Sequence, residues 1–180
     1  MKIGSVKVKS WFLCLIIILI VVIVIIVVWP CRYDSITSIL LIRHAEKTLQ
    51  GTDPPLSIEG QNRAETLVHV VRHAGITGIY ATQYLRTRQT VQPIADHLSL
   101  SITQINANEI VVLVNQVLLD HKGEVVLIVG HLNTIPQIIE KLDGEPTPAI
   151  LENEYDNLFV ITISRFRKTK IVNLKYGESS

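Results

Sequence analysis

Cysteine is almost missing from this chain: 180 residues hold two, Cys14 and Cys31. A domain built from the remaining residues depends on no disulfide, and no cysteine cluster is there to bind a structural metal. Charge is scarce as well, at 18% of residues with a net of +1, so the basic tail or stripe of a nucleic-acid binder is excluded. A hydrophobic content of 48% excludes a disordered chain. Several local signatures are also lacking. There is no Gly-x-Ser-x-Gly elbow, no glycine-rich phosphate loop, no dinucleotide fingerprint and no His-Glu-x-x-His. No internal repeat occurs.

What is present is unevenly distributed. From Trp11 to Trp29 all 19 residues are apolar, aromatic or cysteine. As a helix this run is about 28 Å long, near the thickness of a bilayer core. Indole rings at both ends suit the interface, and Pro30 stops the helix. A buried core helix is the first rival reading, and an unbroken run of this length argues against it. A cleaved signal peptide is the second, but Val28-Trp29-Pro30-Cys31 offers no small-x-small cleavage site. The sequence therefore predicts a basic flank over 1–10, a transmembrane helix over 11–29, a linker over 30–37 and a domain over 38–180. Lys2, Lys7, Lys9 and Arg32 less Asp34 give the first 34 residues +3, which leaves about −2 for the domain. The lysines ahead of the span put the N-terminus in the cytoplasm and the domain on the other side, periplasmic in a bacterium. Cys14 and Cys31 are too far apart along a helix to pair, so Cys31 is either a free thiol or a bridge in a dimer.

Within the domain, short apolar runs alternate with helical periodicity. Strands are expected at 38–42, 78–81, 102–105, 124–129, 158–164 and 169–174. Helices are expected from Ser57 toward Gly75, at 84–98, at 108–120 with Asn106 or Asn108 as cap, and at 134–142. This alternation predicts a three-layer α/β/α sandwich around a mostly parallel sheet, where ligands bind beyond the carboxyl ends of the strands. Three strands run straight into candidate chemistry there. The first reaches Arg43-His44-Ala45-Glu46, the second reaches Arg86 and Arg88, and the strand at 124–129 reaches Gly130-His131 with Asn133 and Thr134 after it. Imidazoles among guanidiniums make a poor metal site, because cations repel cations. They make a good phosphate site: guanidinium forks bind phosphoryl oxygens, and a neutral imidazole is a competent nucleophile. Neither a metal nor another cofactor is expected.

These residues also carry a family resemblance. Leu41-Ile-Arg43-His44-Ala45-Glu46 resembles the Arg-His-Gly signature of the histidine phosphatase superfamily, which includes the phosphoglycerate mutases. Leu85-Arg86-Thr87-Arg88-Gln89-Thr90 resembles its second-arginine motif, and Val129-Gly130-His131 its second-histidine motif. The three fall in family order, each after a strand, over roughly residues 38–164. Asp53-Pro-Pro-Leu-Ser57 with Glu59 and Gly60 resembles the family's loop and helix start. The resemblance implies that His44 is the nucleophile that becomes phosphohistidine. It implies that Arg43, Arg86 and His131 bind the phosphoryl oxygens, with Glu46 and Asn133 as further substrate contacts. The implied reaction is two in-line displacements with water as final acceptor.

Three departures stand out. Ala45 replaces the signature glycine, Gln50 stands where many mutases have asparagine, and the acid that protonates the leaving group is not obvious. Glu109 is the first candidate for that acid, against a plain helix-dipole carboxylate; Asp53, Glu152 and Glu154 follow. A good leaving group, as in an acyl phosphate or phosphoramidate, would need the acid less. Arg88 is expected to face away from Arg86, and Gly144–Tyr155 to shape the rim or merely connect. The leading expectation is a membrane-anchored phosphohydrolase acting on a small-molecule or envelope phosphorylated substrate. A mutase-like phosphotransferase and a non-catalytic anchored module that binds phosphorylated partners are the alternatives.

Overall fold

The structure is a computed structural model that describes residues 11–23, 36–142, 149–164 and 168–179. The chain divides into two units, Met1–Asp34 and Ser35–Ser180. In the first, residues 11–23 form helix α1, and its large apolar side chains are all exposed, from Val22 at 43% to Trp11 at 71%. Among the described residues no helix is long and apolar enough to cross a membrane. The rest of the expected span, residues 24–29, lies outside the described residues, as do the flank over 1–10, most of the linker and Cys31.

The second unit runs β1 (Thr37–Arg43), α2 (Ile58–Val71), β2 (Ile76–Thr82), α3 (Leu85–Leu98), β3 (Ile102–Ile105), α4 (Ile110–Asp120), β4 (Val125–Gly130), α5 (Thr134–Lys141), β5 (Asn157–Ile163) and β6 (Thr169–Lys175). The six strands form one sheet in the order β3-β2-β4-β1-β5-β6. Strand alternation sends successive side chains to opposite faces. Ile39 and Leu41 pack with Leu113, Val117, Ile135 and Ile138 from α4 and α5. Leu40 and Ile42 pack with Leu67, Val91 and Ile94 from α2 and α3. Two apolar cores thus sandwich the sheet, giving the expected three layers.

The sheet is mixed rather than mostly parallel. β1·β4, β2·β4 and β2·β3 are parallel, whereas β5 pairs antiparallel with β1 and β6 with β5. The cause is visible ahead of β5, where the carbonyls of Leu151, Glu152 and Glu154 bind Arg43 at the carboxyl end of β1. β5 starts from that edge and must run against β1.

The helix caps show one agreement and one correction. Ser57 caps α2 by accepting from Gly60 N at 3.2 Å. α4 is capped at Glu109 and not at either asparagine; Asn106 Oδ1 instead accepts from Asn108 N at 3.0 Å in the preceding turn. A side chain committed to its own turn is not available to the helix.

Candidate active site

Parallel register builds the site. Arg43 and Gly130 are direct partners across β1 and β4, so the residues that follow them, His44 and His131, emerge side by side. His44 N donates to Gly130 O at 3.0 Å and continues the ladder one step past the strands. The two imidazole rings lie 5.4 Å apart between centroids.

His44 is 4% exposed, and its Nδ1 lies 2.8 Å from Ala45 O. A carbonyl only accepts, so Nδ1 carries the proton and Nε2 keeps its lone pair. Burial pushes this imidazole down to about 3; His131, Arg43 and Arg86 add to the effect, and the Ala45 hydrogen bond partly opposes it. Burial, then Arg86 and Arg43, push His131 down to about 4. Both rings are therefore neutral at pH 7.

The two arginines are held differently. Arg43 Nη1 donates to the carbonyls of Glu152, Glu154 and Leu151 at 2.6, 3.1 and 3.3 Å. Its guanidinium lies 4.1 Å from the centroid of the Tyr155 ring. Arg86 stacks 4.3 Å over Tyr84 and reaches Asp53 at 3.5 Å. In both residues the Nε is buried without a hydrogen-bond partner. Both guanidiniums line one cavity, where their charge suits an anionic ligand.

Thr90, four residues after Arg86, has a structural task. Its hydroxyl donates to Arg86 O at 2.7 Å and accepts from Ala45 N at 2.9 Å, tying α3 to the turn after His44. Ala45 in place of glycine fits, because Ser99 is the one non-glycine residue at positive φ among the described residues. The Ala45 methyl is buried against Leu56 and Ala64.

Arg43, His44, Arg86 and His131 line one open pocket of about 320 Å³, with Lys47, Asn108, Asn133 and Glu152 around them. Five of the expected site residues, counting Asn133, thus come together. Two do not. Glu46 is taken by Arg63, whose Nε lies 2.9 Å from both carboxylate oxygens and whose Nη2 lies 2.6 Å from Oε1. Glu109 is exposed at the α4 cap and is not among the lining residues, while its neighbour Asn108 is. Of the other acid candidates, Asp53 caps α3 through Leu85 N at 3.0 Å, and Glu154 caps Leu151 N at 2.8 Å and pairs with Lys175. Glu152 is the carboxylate that lines the pocket among the described residues. Arg88 is exposed and outside the pocket, and so is Gln50. Thr134 accepts from His131 N at 2.8 Å and so shapes the turn into α5. Sequence reasoning did not find Tyr84, Tyr155 or Arg63; an aromatic ring two residues before Arg86 was the one signal available.

Known proteins share part of this sequence and its fold. Residues 39–110 match the family described as Histidine phosphatase superfamily (branch 1). The fold is similar to the protein histidine phosphatase SixA complexed with tungstate, at 18% identity and TM-score 0.64 over 77% of this chain and 96% of that one. It is similar to a putative alpha-ribazole-5'-P phosphatase from Escherichia coli, at 14% identity and TM-score 0.62 over 77% and 96%. It is also similar to a phosphoserine phosphatase from Entamoeba histolytica in complex with 3-phosphoglyceric acid, at 18% identity and TM-score 0.55 over 79% and 98%. No curated protein matches the chain in sequence. The family match covers residues 39–110, and the likeness to the solved structures is one of fold.

Proposed function

We propose that this chain is a membrane-anchored phosphohydrolase that works through a phosphohistidine on His44. The observation that carries the reading is the fixed tautomer of His44. Its Nδ1 proton is tied to Ala45 O, which leaves the Nε2 lone pair beside two buried guanidiniums with orphaned Nε donors. In the first step the Nε2–P bond forms as the bond from phosphorus to the leaving oxygen or nitrogen breaks. In the second, water attacks phosphorus, the P–N bond breaks, and neutral His44 and phosphate are restored. Arg43 and Arg86 neutralise charge on the phosphoryl oxygens as it moves, and His131 lines the same pocket. Glu152 is the carboxyl placed to supply the leaving group's proton. A single exposed acid suits substrates whose leaving group needs little help, such as a phosphoramidate or acyl phosphate.

The anchor rests on the apolar run at 11–29, of which residues 11–23 are helical with every large side chain exposed. The thirteen described residues span about 20 Å, and the apolar run of 19 in the sequence matches a bilayer core. The lysines ahead of the run place the substrate on the non-cytoplasmic side.

The test uses the full chain in detergent micelles with chelator and an aryl phosphate. Turnover that is lost in His44→Ala, with acid-labile phosphate trapped on His44 in the wild type, is the expected result. Phosphate binding without turnover of any phosphoester would refute the hydrolase and leave a binding module. Protease added to spheroplasts should digest the domain; full protection would reverse the orientation.

A further inference from the structure

Thr82 and Thr87 do not touch the pocket, yet both are buried behind His131, at 7% and 0% exposure. His131 Nε2 lies 2.9 Å from Thr82 Oγ1, which lies 2.9 Å from Thr87 Oγ1. Thr87 Oγ1 in turn lies 2.8 Å from Tyr84 O and 3.1 Å from Thr82 O. Counting protons gives this row of atoms a direction. Each hydroxyl has one proton to donate, and a carbonyl has none. If Thr87 donates to Tyr84 O, then Thr82 donates to Thr87 and His131 Nε2–H donates to Thr82. Three protons then serve the four contacts, with the Thr87 proton directed at Tyr84 O and Thr82 O beside it. In the reverse direction Thr87 donates to Thr82, and Thr82 to a lone pair on His131 Nε2. The contacts of Thr87 Oγ1 with Tyr84 O and Thr82 O are then both left without a proton, with oxygen lone pairs facing each other away from water. A low-dielectric interior makes that arrangement costly, so the first direction is favoured.

We propose that Thr87 is a positioning residue that, through Thr82, keeps the proton of neutral His131 on Nε2, so that Nδ1 offers the pocket a lone pair and takes the proton of a phosphoryl monoanion. The inference rests on the phosphoryl-binding reading above. In this step the O–H bond of the monoanion breaks and an Nδ1–H bond forms. No bond to phosphorus changes. The product is a phosphoryl dianion held by an imidazolium and two guanidiniums. The groups that face His131 support this exchange. Arg43 and His44 approach from β1 and its end, and Arg86 from α3. The Tyr84 ring meets it edge-on at 5.2 Å, and Lys47 and Glu152 share its pocket. With the pocket empty, Arg43 and Arg86 disfavour a third cation; a bound dianion reverses that balance. The two histidines thus present opposite nitrogens, Nε2 of His44 as nucleophile and Nδ1 of His131 as proton acceptor.

The test reads the tautomer directly, on the full chain in detergent micelles with ¹⁵N-labelled histidine. The spectrum is recorded at pH 7, where an imidazole pushed down to about 4 is neutral. His131→Gln assigns the signals. The wild type and Thr87→Ser should show the His131 proton on Nε2. In Thr87→Val, Thr82 loses its acceptor, its hydroxyl turns to Nε2, and the ring proton should appear on Nδ1. Inorganic phosphate binding provides the second readout. Wild-type affinity should fall as pH rises past the second ionisation of the ligand, because the bound pair keeps a proton that the free dianion lacks; in Thr87→Val, where Nδ1–H donates to the dianion directly, that fall should be lost. Thr87→Ser should keep the wild-type profile, which a purely structural role for the hydroxyl would not require. A wild-type proton on Nδ1, or the same tautomer and profile in Thr87→Val, would overturn the proposal. If Thr87→Val does not fold, the wild-type spectrum alone decides. Absence of phosphate binding would instead remove the reading of the pocket itself.

Discussion

His44 and His131 sit with their rings 5.4 Å apart because the residues before them are partners in a parallel ladder. Neither ring has a carboxylate partner among the described residues. Both are neutral because they are buried beside cations.

That neutrality links stability to pH. The folded values, about 3 and about 4, lie below the ordinary value of 6.5. Between those limits the unfolded chain binds more protons than the folded one, so stability is full above pH 6.5 and is lost as pH falls. Urea unfolding at pH 7 and pH 5.5 should differ by about 2 kcal/mol, and His44→Gln should roughly halve that difference. An identical midpoint at the two pH values would show that these rings are not buried in solution.

Gly60 lies against the chain that follows His44. A Cβ there would overlap Glu46 O, a backbone atom that cannot swing aside. Gly60→Ala should therefore lose more than about 2 kcal/mol, although alanine favours helix by about 1 kcal/mol. It should also lower kcat, since α2 can only relieve the clash by pushing the residues after His44. Unfolding midpoints and steady-state kinetics check both effects, and a stabilised variant would contradict the contact.

Glu46 should prove to be a stability residue. Glu46→Ala leaves the Arg63 guanidinium, 6% exposed, without its carboxylate, at a cost of about 3 kcal/mol. The double variant with Arg63→Met should recover much of that loss, because no uncompensated charge is then buried. A denaturation cycle over the four proteins measures the coupling; a loss under about 1 kcal/mol would mark the pair as a solvated one.

Much of this was legible in the chain. Ile39 to Ile42 read as a strand because both faces of β1 are buried and every position had to be apolar. Arg43, His44, Arg86 and His131 could be grouped because strand ends converge whatever the details of packing. The partners of those residues were not legible. Arg43 is held by main-chain carbonyls more than 100 positions away, and any sequence can supply a carbonyl. Glu46 next to Arg43 and His44 reads as a substrate contact until Arg63, 17 positions on, is seen to reach it. Glu109 reads as the acid because it opens a helix near the site, but the turn before α4 puts Asn108 on the pocket wall and leaves Glu109 outside it. Antiparallel β5 was hidden for the same reason, since a connection's path depends on what it binds on the way.

Arg63 also sets an order of events. Its Nη1 and Nη2 donate to the carbonyls of Tyr176 and Glu178, the latter 115 positions later in the chain. During synthesis Arg43, His44, Arg86 and His131 are all made before those two carbonyls exist. The clamp on Glu46, two residues from His44, is therefore completed after all four, and a nascent chain stalled before residue 176 would carry them around a turn that is only partly held.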